Sequence, residues 1–406
     1  MRIAIVVNSF PKVSETFIFN KVIHLIKAGW DVTVVVHHKS NDTVFFQDQM
    51  MNAKIKLSHA NFSSGEIKSF LRLGWYVLAN IPMAMRAFFR VLKREGRFGP
   101  GSIKRTLKLI PFEGKNFDII HFEYSGLAIQ YLDELDYLES KKVISCRGTA
   151  ELVKPIVDKS RTAQLEKLMT RIDLAHCVSQ NMRSVMVNFG IPPEKSFVNY
   201  PSIDIGFFTR TTAYGNVTNA EFTVVSTGRL TWVKGYTYAL LGVKRTVDQG
   251  YNVRYEIIGE GESSDELTFL VERLGLSGRV AFRGNLTRAE VKRELERADA
   301  FLLPSLSEGI SNAALEAMAM EIPVVSTKVG GMGEVIADGE NGVLINEMEP
   351  GEIADRLIDL IKNREVAKRL GKQAREVVVN GFSLKKQTEI FQEQYQKLYD
   401  EHQAKN

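Results

Sequence analysis

The sequence predicts an α/β protein built from two Rossmann-like domains, each with a parallel sheet covered by helices. Short apolar runs alternate with amphipathic stretches of helical length in two separate series. The alternation breaks off between the series, at residues 199–208, NYPSIDIGFF. In the second series, residues 300–321 contain an apolar run, a polar loop and a helical stretch in succession. That order is typical of a strand–helix unit in a parallel sheet.

The first series predicts an N-terminal domain over residues 1–200. Ser14 is a suitable N-cap for its first helix, and Gly29 is a suitable stop. An irregular insert is expected over residues 50–115. Strands are predicted at 2–7, 31–36, 117–121, 142–146 and 173–178, and helices at 14–28, 126–138, 160–171 and 179–188.

The second series predicts a C-terminal domain over residues 209–382, followed by a last helix at 383–406. Leu384, Ile390, Phe391, Tyr395 and Leu398 give this last helix an apolar stripe. In the domain, strands are predicted at 222–227, 252–258, 279–282, 299–303, 323–326 and 342–345, and helices at 235–249, 263–274, 287–297, 312–320 and 351–362.

Composition indicates a soluble globular protein of the cytosol. Of the 406 residues, 44% are hydrophobic and 25% are charged, enough for two or three domains with sizeable cores. Cys146 and Cys177 lie in apolar runs, which favours reduced thiols over a disulfide or zinc site. The N-terminal MRIAIVVNSF predicts a strand, not a signal peptide. No apolar run reaches the roughly 18–20 residues that span a bilayer.

Positive charge is concentrated in the first half of the chain. Residues 1–200 hold 28 Lys and Arg against 18 Asp and Glu, and residues 64–110 hold ten against two. Within this basic insert, residues 73–85 are uncharged and contain Trp75 and Tyr76. A basic and an apolar face follow at helical spacing, formed by Arg86, Arg90, Lys93 and Arg97 and by Met85, Phe88, Phe89 and Leu92.

This composition predicts an interfacial helix that docks the N-terminal domain on an anionic membrane. The alternative is an ordinary helical insert whose apolar face packs on the domain and whose basic residues are solvated. Nucleic-acid binding is not expected, because the insert lacks a known binding pattern.

The stretch around residues 300–321 carries two carboxylates, Glu308 and Glu316, on either side of a predicted helix start. Ser311 and Asn312 are good N-cap types, so main-chain N–H groups should point out of the helix. A helix start at the carboxyl end of a strand suits a phosphate, and Glu316 could accept hydrogen bonds from a ribose diol. The alternative is a capping loop with two surface glutamates.

Further turns with the same character follow other strands of this series. Arg229 and Lys234 share one loop after strand 222–227, where they could neutralise a diphosphate or be merely solvated. Gly259-Glu260-Gly261 and Gly330-Gly331 provide turns that let a ligand approach the backbone.

These motifs resemble one known family. GRLTWVKG, IIGEGE, ADAFLLPSLSEGISNAALEAMA, VGGMGEVI and DGENGVL are similar to the donor-binding half of the retaining family-4 glycosyltransferases of the GT-B fold. SFPKVSETFI, at residues 9–18, resembles the colanic-acid and amylovoran subgroup of exopolysaccharide transferases. The resemblance implies two domains facing each other across a cleft, with the C-terminal helix crossing back to the first domain.

The resemblance also implies a role for each motif. Arg229 and Lys234 would hold the nucleotide diphosphate, Glu316 the ribose and Glu308 the donor sugar. No cofactor or metal is expected, because the two cations and the helix start would take the place of a divalent ion. The donor-binding set implied is Arg229, Lys234, Gly259, Glu260, Glu308, Gly309, Ile310, Ser311, Asn312 and Glu316.

The sequence departs from the family at one position. The family usually has a histidine after the strand that corresponds to 142–146, and this chain has Arg147 there. Arginine cannot accept a proton at neutral pH, so it could instead stabilise negative charge on the leaving phosphate. His121, at the end of strand 117–121, is the other catalytic candidate. Its alternative is a strand-end histidine satisfied by the backbone.

The predicted function is therefore retaining transfer of a sugar from a nucleoside diphosphate, UDP or GDP, to a hydroxyl acceptor. A membrane lipid-linked saccharide in surface or exopolysaccharide assembly is the expected acceptor, which places the protein on the inner face of the cytoplasmic membrane. Two alternatives stay open, a nucleotide-sugar epimerase of the same fold and a non-catalytic sugar-nucleotide-binding protein.

Overall fold

The chain divides into two compact units in a computed structural model that describes residues 1–12, 15–60, 76–97, 99–212, 214 and 221–404. The N-terminal unit contains residues 1–177, 183–199 and 388–406, and the C-terminal unit contains residues 178–182 and 200–387. The segment 201–208, expected as a linker, thus belongs to the C-terminal unit, as do the first residues of the last helix.

The N-terminal unit contains a parallel sheet of seven strands in the order β3-β2-β1-β4-β5-β6-β7. All five predicted strands are present. Two short strands at the sheet edges were not predicted, because neither carries an extended apolar run. The strands are β1 (Arg2–Phe10), β2 (Asp31–Lys39), β3 (Lys56–His59), β4 (Ile119–Phe122), β5 (Lys141–Cys146), β6 (Leu174–Cys177) and β7 (Ser196–Val198).

The helices of this unit differ from the prediction in three places. The helix predicted over 126–138 ends at Gln130, where the fully buried Tyr131 turns the chain into a short 3-10 segment, Leu135–Tyr137. The described part of the insert expected to be irregular contains helices at Ile81–Glu95 and Pro100–Leu109, and two short helices outside it, Thr149–Leu152 and Lys154–Val157, were not predicted. Ser14, the predicted cap, lies outside the described residues. The helices are α1 (Thr16–Lys27), α2 (Thr43–Asn52), α3 (Ile81–Glu95), α4 (Pro100–Leu109), α5 (Ser125–Gln130), α6 (Thr149–Leu152), α7 (Lys154–Val157), α8 (Lys159–Met169) and α9 (Gln180–Asn188).

The last helix, α16 (Leu384–Gln403), completes the core of the N-terminal unit. Phe391, Tyr395 and Leu398 are buried in one cluster with apolar residues of β1 such as Ile3 and Ile5. Ile390, Phe391, Tyr395 and Leu398 of the predicted apolar stripe therefore pack on the first domain, whereas Leu384 belongs to the C-terminal unit.

The C-terminal unit contains a parallel sheet of six strands in the order β10-β9-β8-β11-β12-β13. All six strands and all five helices predicted for this domain are confirmed. The strands are β8 (Phe222–Thr227), β9 (Val253–Ile258), β10 (Val280–Phe282), β11 (Ala300–Leu303), β12 (Val324–Thr327) and β13 (Val343–Ile345). The helices are α10 (Tyr236–Asp248), α11 (Ser264–Arg273), α12 (Arg288–Arg297), α13 (Asn312–Ala319), α14 (Pro350–Lys362) and α15 (Arg364–Gly381).

The remaining sequence expectations concern thiols, metals and membrane spans. Cys146 and Cys177 are free, buried and in register on the neighbouring strands β5 and β6. Within the described residues, no group of three or more His, Cys, Asp or Glu side chains is arranged as metal ligands. No helix in the described part of the chain is long and apolar enough to cross a bilayer.

Candidate functional site

Two cations lie in the loop that follows β8. Arg229 is exposed, and its guanidinium makes no ion pair with any described residue. Lys234 ends a 3-10 turn, Trp232–Lys234, and its Nζ lies 2.5 Å from Oε1 of Glu308. The structure thus brings Lys234 and Glu308 together, two of the residues predicted to bind the donor.

Close backbone approaches hold the neighbouring loops against the segment that follows β11. Gly235 has φ +67°, and a Cβ there would lie 2.0 Å from the carbonyl oxygen of Pro304. Gly330 has φ +55°, and a Cβ there would lie 1.7 Å from the carbonyl oxygen of Glu308. Any side chain at either position would push the loops apart. The glycines of two motifs are therefore explained by packing between loops.

Helix α13 begins with unsatisfied main-chain donors. Ser311 is its N-cap, as predicted, and its hydroxyl accepts from the amide of Ala314 at 3.3 Å. The Ser311 amide is 3.4 Å from the sulfur of Met332, a weak acceptor. Within the described residues, the amides of Gly309, Ile310, Asn312 and Ala313 donate no hydrogen bond. The start of α13 therefore offers several N–H groups to an anion.

Glu316 lies in the second turn of α13 and is mostly buried. Within the described part of the chain, its carboxylate has no hydrogen-bond partner. Burial raises the pKa of Glu316 to about 7, and the distant charge of Arg288 opposes that rise only in part. Its oxygens thus reach solvent but receive no donor from the described residues, and a ribose diol could supply donors.

Glu308 is held from two sides. Oε1 accepts from Lys234 Nζ and, at 2.7 Å, from the hydroxyl of the fully buried Ser305. Ser305 was not predicted as part of the site, although it belongs to the PSLSEG motif. Oε2 of Glu308 makes no hydrogen bond to a described residue.

The loop after β9 contributes backbone more than side chain. The Gly259 amide donates to the carbonyl of Gly284 at 2.8 Å, and the exposed Glu260 accepts from Asn285 Nδ2 at 2.8 Å. At the end of β8, Oγ1 of Thr227 is buried without a hydrogen-bond partner among the described residues. This orphan hydroxyl has no motif of its own, so sequence reasoning missed it.

In the N-terminal unit, Arg147 follows β5 and is fixed by two buried glutamates. Its Nη2 lies 2.5 Å from Oε2 of Glu123, and its Nε donates to the Glu123 carbonyl at 3.2 Å. Its main-chain amide donates to Glu151 at 3.3 Å, and its guanidinium lies 4.3 Å from the centre of the Phe17 ring. Neither glutamate was predicted.

His121 is fully buried, and both of its ring nitrogens are engaged. Nδ1 lies 3.0 Å from Lys21 Nζ and close to the Tyr395 hydroxyl, and Nε2 lies 2.8 Å from Ser145 Oγ. Burial, supported by the charge of Lys21, holds the pKa of His121 well below its usual range. A neutral, enclosed imidazole argues against the catalytic role predicted for His121.

Two protein-family models match this chain, and each covers most of one of the two units. The family model for glycosyltransferase family 4 matches residues 14–207, and the model for glycosyl transferases group 1 matches residues 214–377. The chain belongs to the group 1, family 4 glycosyltransferases. It is therefore a glycosyltransferase, as the motifs predicted.

Two curated relatives of this glycosyltransferase match nearly end to end. A putative colanic acid biosynthesis glycosyltransferase of Salmonella typhimurium, WcaL, is 28% identical over 94% of this chain and 96% of its own length. The amylovoran biosynthesis glycosyltransferase AmsK of Erwinia amylovora is 28% identical over 89% of this chain and 90% of its own. The predicted resemblance to this subgroup is thus confirmed.

Solved structures show the same fold. Anabaena HepE, in complex with UDP-glucose, matches with a TM-score of 0.74 at 17% identity, over 98% of this chain and 100% of that one. The glycosyltransferase TarM of S. aureus also matches with a TM-score of 0.74, at 14% identity, over 98% and 100% of the two chains. The predicted fold class, with two Rossmann-like parallel α/β domains, is confirmed.

Proposed function

We propose that this glycosyltransferase moves a sugar, with retention, from a nucleoside diphosphate sugar to a hydroxyl of a lipid-linked saccharide in exopolysaccharide assembly. The observation that carries the proposal is Glu316, a mostly buried carboxylate without a partner, on a helix whose first amides are also unmet. The names of WcaL and AmsK, both of exopolysaccharide pathways, support the pathway class. The UDP-glucose complex of HepE supports a nucleotide sugar as donor.

In this proposal the unmet groups of the C-terminal unit take the nucleotide. The amides at the start of α13 and the free guanidinium of Arg229 meet the diphosphate, and Glu316 accepts from the ribose hydroxyls. When the donor binds, the ammonium of Lys234 leaves the Glu308 carboxylate and pairs with a phosphate oxygen instead. Glu308, released from that cation, accepts hydrogen bonds from the hydroxyls of the donor sugar.

The chemistry proposed is assisted departure of the leaving group without a covalent sugar intermediate. Negative charge develops on the diphosphate as the anomeric bond breaks, and fixed cations stabilise it. Arg229 and Lys234 supply this charge on the C-terminal unit. Arg147, in the N-terminal unit, cannot lose its proton at neutral pH and is proposed to bind an anionic group of the substrate. The proposal needs no divalent metal, since these cations and the helix start perform its usual role.

The test is a donor screen that measures UDP and GDP release from a panel of nucleotide sugars, with and without lipid-diphosphate-linked acceptors. The proposal expects release from one donor that is stimulated by such an acceptor and gives a glycoside. A free epimer as product, or no turnover with any donor, would contradict it.

A lipid-linked acceptor requires contact with a membrane. We assign this contact to an exposed apolar surface of α3 and α4. Met85 is 53% exposed and Phe89 57%, and Leu78, Ile81 and Ile103 are also exposed. All of these except Leu78 line an apolar groove of about 440 Å³, together with Ala84, Phe88, Leu107 and neighbouring side chains. Tyr76, expected at this interface together with Trp75, is buried instead, and Trp75 lies outside the described residues.

The structure changes which basic residues are available to lipid. Arg90 donates to the Tyr137 carbonyl at 2.9 Å and pairs with the buried Glu113 at 3.1 Å, so it serves the fold. Lys93, Arg97 and Lys104 are exposed and make no ion pair with described residues. We propose that these three flank the apolar surface at an anionic bilayer, each contributing on the order of 1 kcal/mol.

Sedimentation with liposomes tests this membrane contact. The protein is expected to pellet with anionic vesicles at low salt and to be released by high salt. Changing Lys93, Arg97 and Lys104 together to Glu should abolish pelleting. The control changes Lys27, Lys195 and Lys397 to Glu, three exposed lysines of the same unit with the same total charge change. Equal loss in both variants, or no binding by the wild type, would contradict a specific docking surface.

A further inference from the structure

Four ionisable side chains that come from different elements meet in the interior of the N-terminal unit. Lys21 lies on α1, His121 on β4, Glu123 directly after β4, and Arg147 directly after β5. Lys21 is 4% exposed and Glu123 is not exposed at all. Strands β4 and β5 are neighbours in the sheet, which is why Glu123 and Arg147 meet at its carboxyl edge.

Glu123 is the centre of this buried cluster. Oε1 lies 2.6 Å from Lys21 Nζ, and Oε2 lies 2.5 Å from Arg147 Nη2. Burial acts to raise the pKa of Glu123, but the charges of Lys21 and Arg147 outweigh burial and hold that pKa well below its usual range. Glu123 is therefore ionised, with one cation on each carboxylate oxygen.

Lys21 has its hydrogen-bonding capacity filled within the protein. Besides Glu123, its ammonium contacts His121 Nδ1 at 3.0 Å and lies 4.0 Å from the centre of the Phe391 ring. Phe391 and Tyr395, both on α16, close the cluster from above Lys21 and His121. No side of the lysine is left for a ligand, so its effect is exerted on Glu123.

A chain of hydrogen bonds fixes the state of His121. His176 Nε2 must donate to the Asn199 carbonyl, at 2.8 Å, so its Nδ1 accepts from the Ser145 hydroxyl. Ser145 Oγ then accepts from His121 Nε2, which leaves Nδ1 of His121 as the acceptor for Lys21. The lone pair of His121 Nδ1 is then shared by Lys21 and the Tyr395 hydroxyl, which lies close to the same atom.

Arg147 differs from the other three side chains because only one edge of its guanidinium, here called the inner edge, makes hydrogen bonds. Nε and Nη2 bond the carbonyl and carboxylate of Glu123, whereas Nη1 has no partner among the described residues. The side chain is 15% exposed. A guanidinium has five donors in one plane, so fixing one edge fixes the direction of the other.

A buried carboxylate with two cations is a poor device for stability alone. Desolvation of three charges can exceed their mutual attraction, and apolar side chains of similar volume are often as stable. The arrangement does, however, give Arg147 one orientation, because Glu123 is itself held by Lys21. Glu151 adds to this by accepting from the amides of Arg147 and Gly148.

We propose that Glu123 is a positioning residue that acts through Arg147, and this inference rests on the function proposed above. Glu123 holds the inner edge of the guanidinium so that the outer edge is presented to an anionic group of the substrate during sugar transfer. Lys21 and the α16 residues Phe391 and Tyr395 keep Glu123 in place.

A double-mutant cycle in the full-length protein separates this role from a structural one. Kinetics of sugar transfer are measured for wild type, Glu123→Gln, Arg147→Ala and the double variant. Arg147→Ala is expected to lower kcat about 100-fold. Glu123→Gln should lower kcat about tenfold with donor KM changed less than about threefold, and should have no further effect once Arg147 is absent.

Two additional variants keep the test decisive. Glu134→Gln alters another buried carboxylate of the unit, which pairs with Lys108 at 2.9 Å, and is expected to affect melting but not kcat. Glu123→Asp keeps the charge but withdraws it by one methylene group, so it should lower kcat even if Glu123→Gln does not fold.

The outcomes distinguish the positioning role of Glu123 from the proposed function on which it rests. If Glu123→Gln lowered kcat by the same factor in the presence and in the absence of Arg147, the positioning role would be overturned while the proposed function stayed intact. Full activity of Arg147→Ala would also overturn it. Absence of turnover by the wild type with every donor would instead contradict the proposed function, and the inference with it.

Discussion

Two groups of charged residues, one in each unit, are arranged in opposite ways. In the C-terminal unit, Arg229 has no ion pair among the described residues, Glu316 has no hydrogen-bond partner there, and the start of α13 has unmet amides. In the N-terminal unit, Lys21 and Glu123 are enclosed, and every oxygen of the carboxylate has a cation. Unmet groups indicate a place where a ligand supplies the partners, whereas a satisfied cluster indicates a scaffold that orients one side chain.

The largest expected effect comes from Lys234→Ala, which removes the cation that is paired with Glu308 in the C-terminal unit. Loss of this cation should reduce kcat/KM on the order of 1,000-fold, because charge on the diphosphate loses its partner. The folded state should be retained, since Lys234 is partly exposed. Lys244→Ala is the matched control, a lysine of the same unit that pairs with Asp248 on α10. Near wild-type turnover of Lys234→Ala at subsaturating donor would remove the donor-site assignment.

The next largest effect is expected for the buried cluster around Glu123 and for α16, the helix that encloses it. Tyr395→Ala removes a fully buried ring and should destabilise the protein by about 3–5 kcal/mol. Thermal melting measures the loss, and Lys397→Ala, on the exposed face of the same helix, serves as control. Deletion from residue 384 onward should give insoluble protein. A truncated chain that melts and turns over like the wild type would show that α16 does not complete this unit.

Glu316→Gln should stabilise the free protein at high pH and weaken donor binding. The pKa of Glu316 is about 7 in the folded state and is raised from 4.5, so its stabilising effect is complete below 4.5 and is lost as pH rises through 7. At pH 8 the variant should be more stable by on the order of 1–2 kcal/mol, with no gain at pH 4.5. Glu352→Gln, which removes a carboxylate whose pKa is lowered by Asn346, should show no such gain. If the difference in melting temperature between Glu316→Gln and the wild type did not change with pH, the assignment of Glu316 as a carboxylate without a donor in the free protein would be contradicted.

The smallest effect is expected from chelation. If Arg229, Lys234 and the helix start replace a divalent ion, EDTA should change the transfer rate less than about twofold. The measurement compares initial rates before and after chelation and after adding back magnesium or manganese. A strict requirement for either ion would mean that the cations alone do not stabilise the leaving group.

The sequence predicted the C-terminal unit more fully than the N-terminal one. Strands there are continuous apolar runs with glycine turns, so all six strands and five of the helices were found, together with Lys234, Glu308 and the cap Ser311. Edge strand β3 was missed because a short, exposed KLSH carries no apolar pattern. The helix predicted over 126–138 was too long because burial of Tyr131 overrides local propensity.

The cluster around Glu123 could not be predicted because its members are far apart in sequence. Lys21 and Glu123 are separated by 102 positions, and His121 and Tyr395 by 274. Each looks like an ordinary residue of a strand end or a helix, and only the neighbouring placement of β1, β4 and β5 in the sheet brings them together. His121 was taken for a catalytic candidate for the same reason, since sequence alone does not report that its ring is enclosed.

The most direct test of the account is the proton balance when an intact nucleotide sugar binds. The diphosphate of such a donor is esterified at both ends and does not titrate near neutral pH, so a proton change reports the protein. Calorimetry at pH 6.5 in two buffers of different ionisation enthalpy should show release of about half a proton or more by the wild type, because donation from the ribose favours the ionised form of Glu316. Glu316→Gln should release none. The same proton release in the variant, or none in the wild type, would contradict the assignment of Glu316 to the donor.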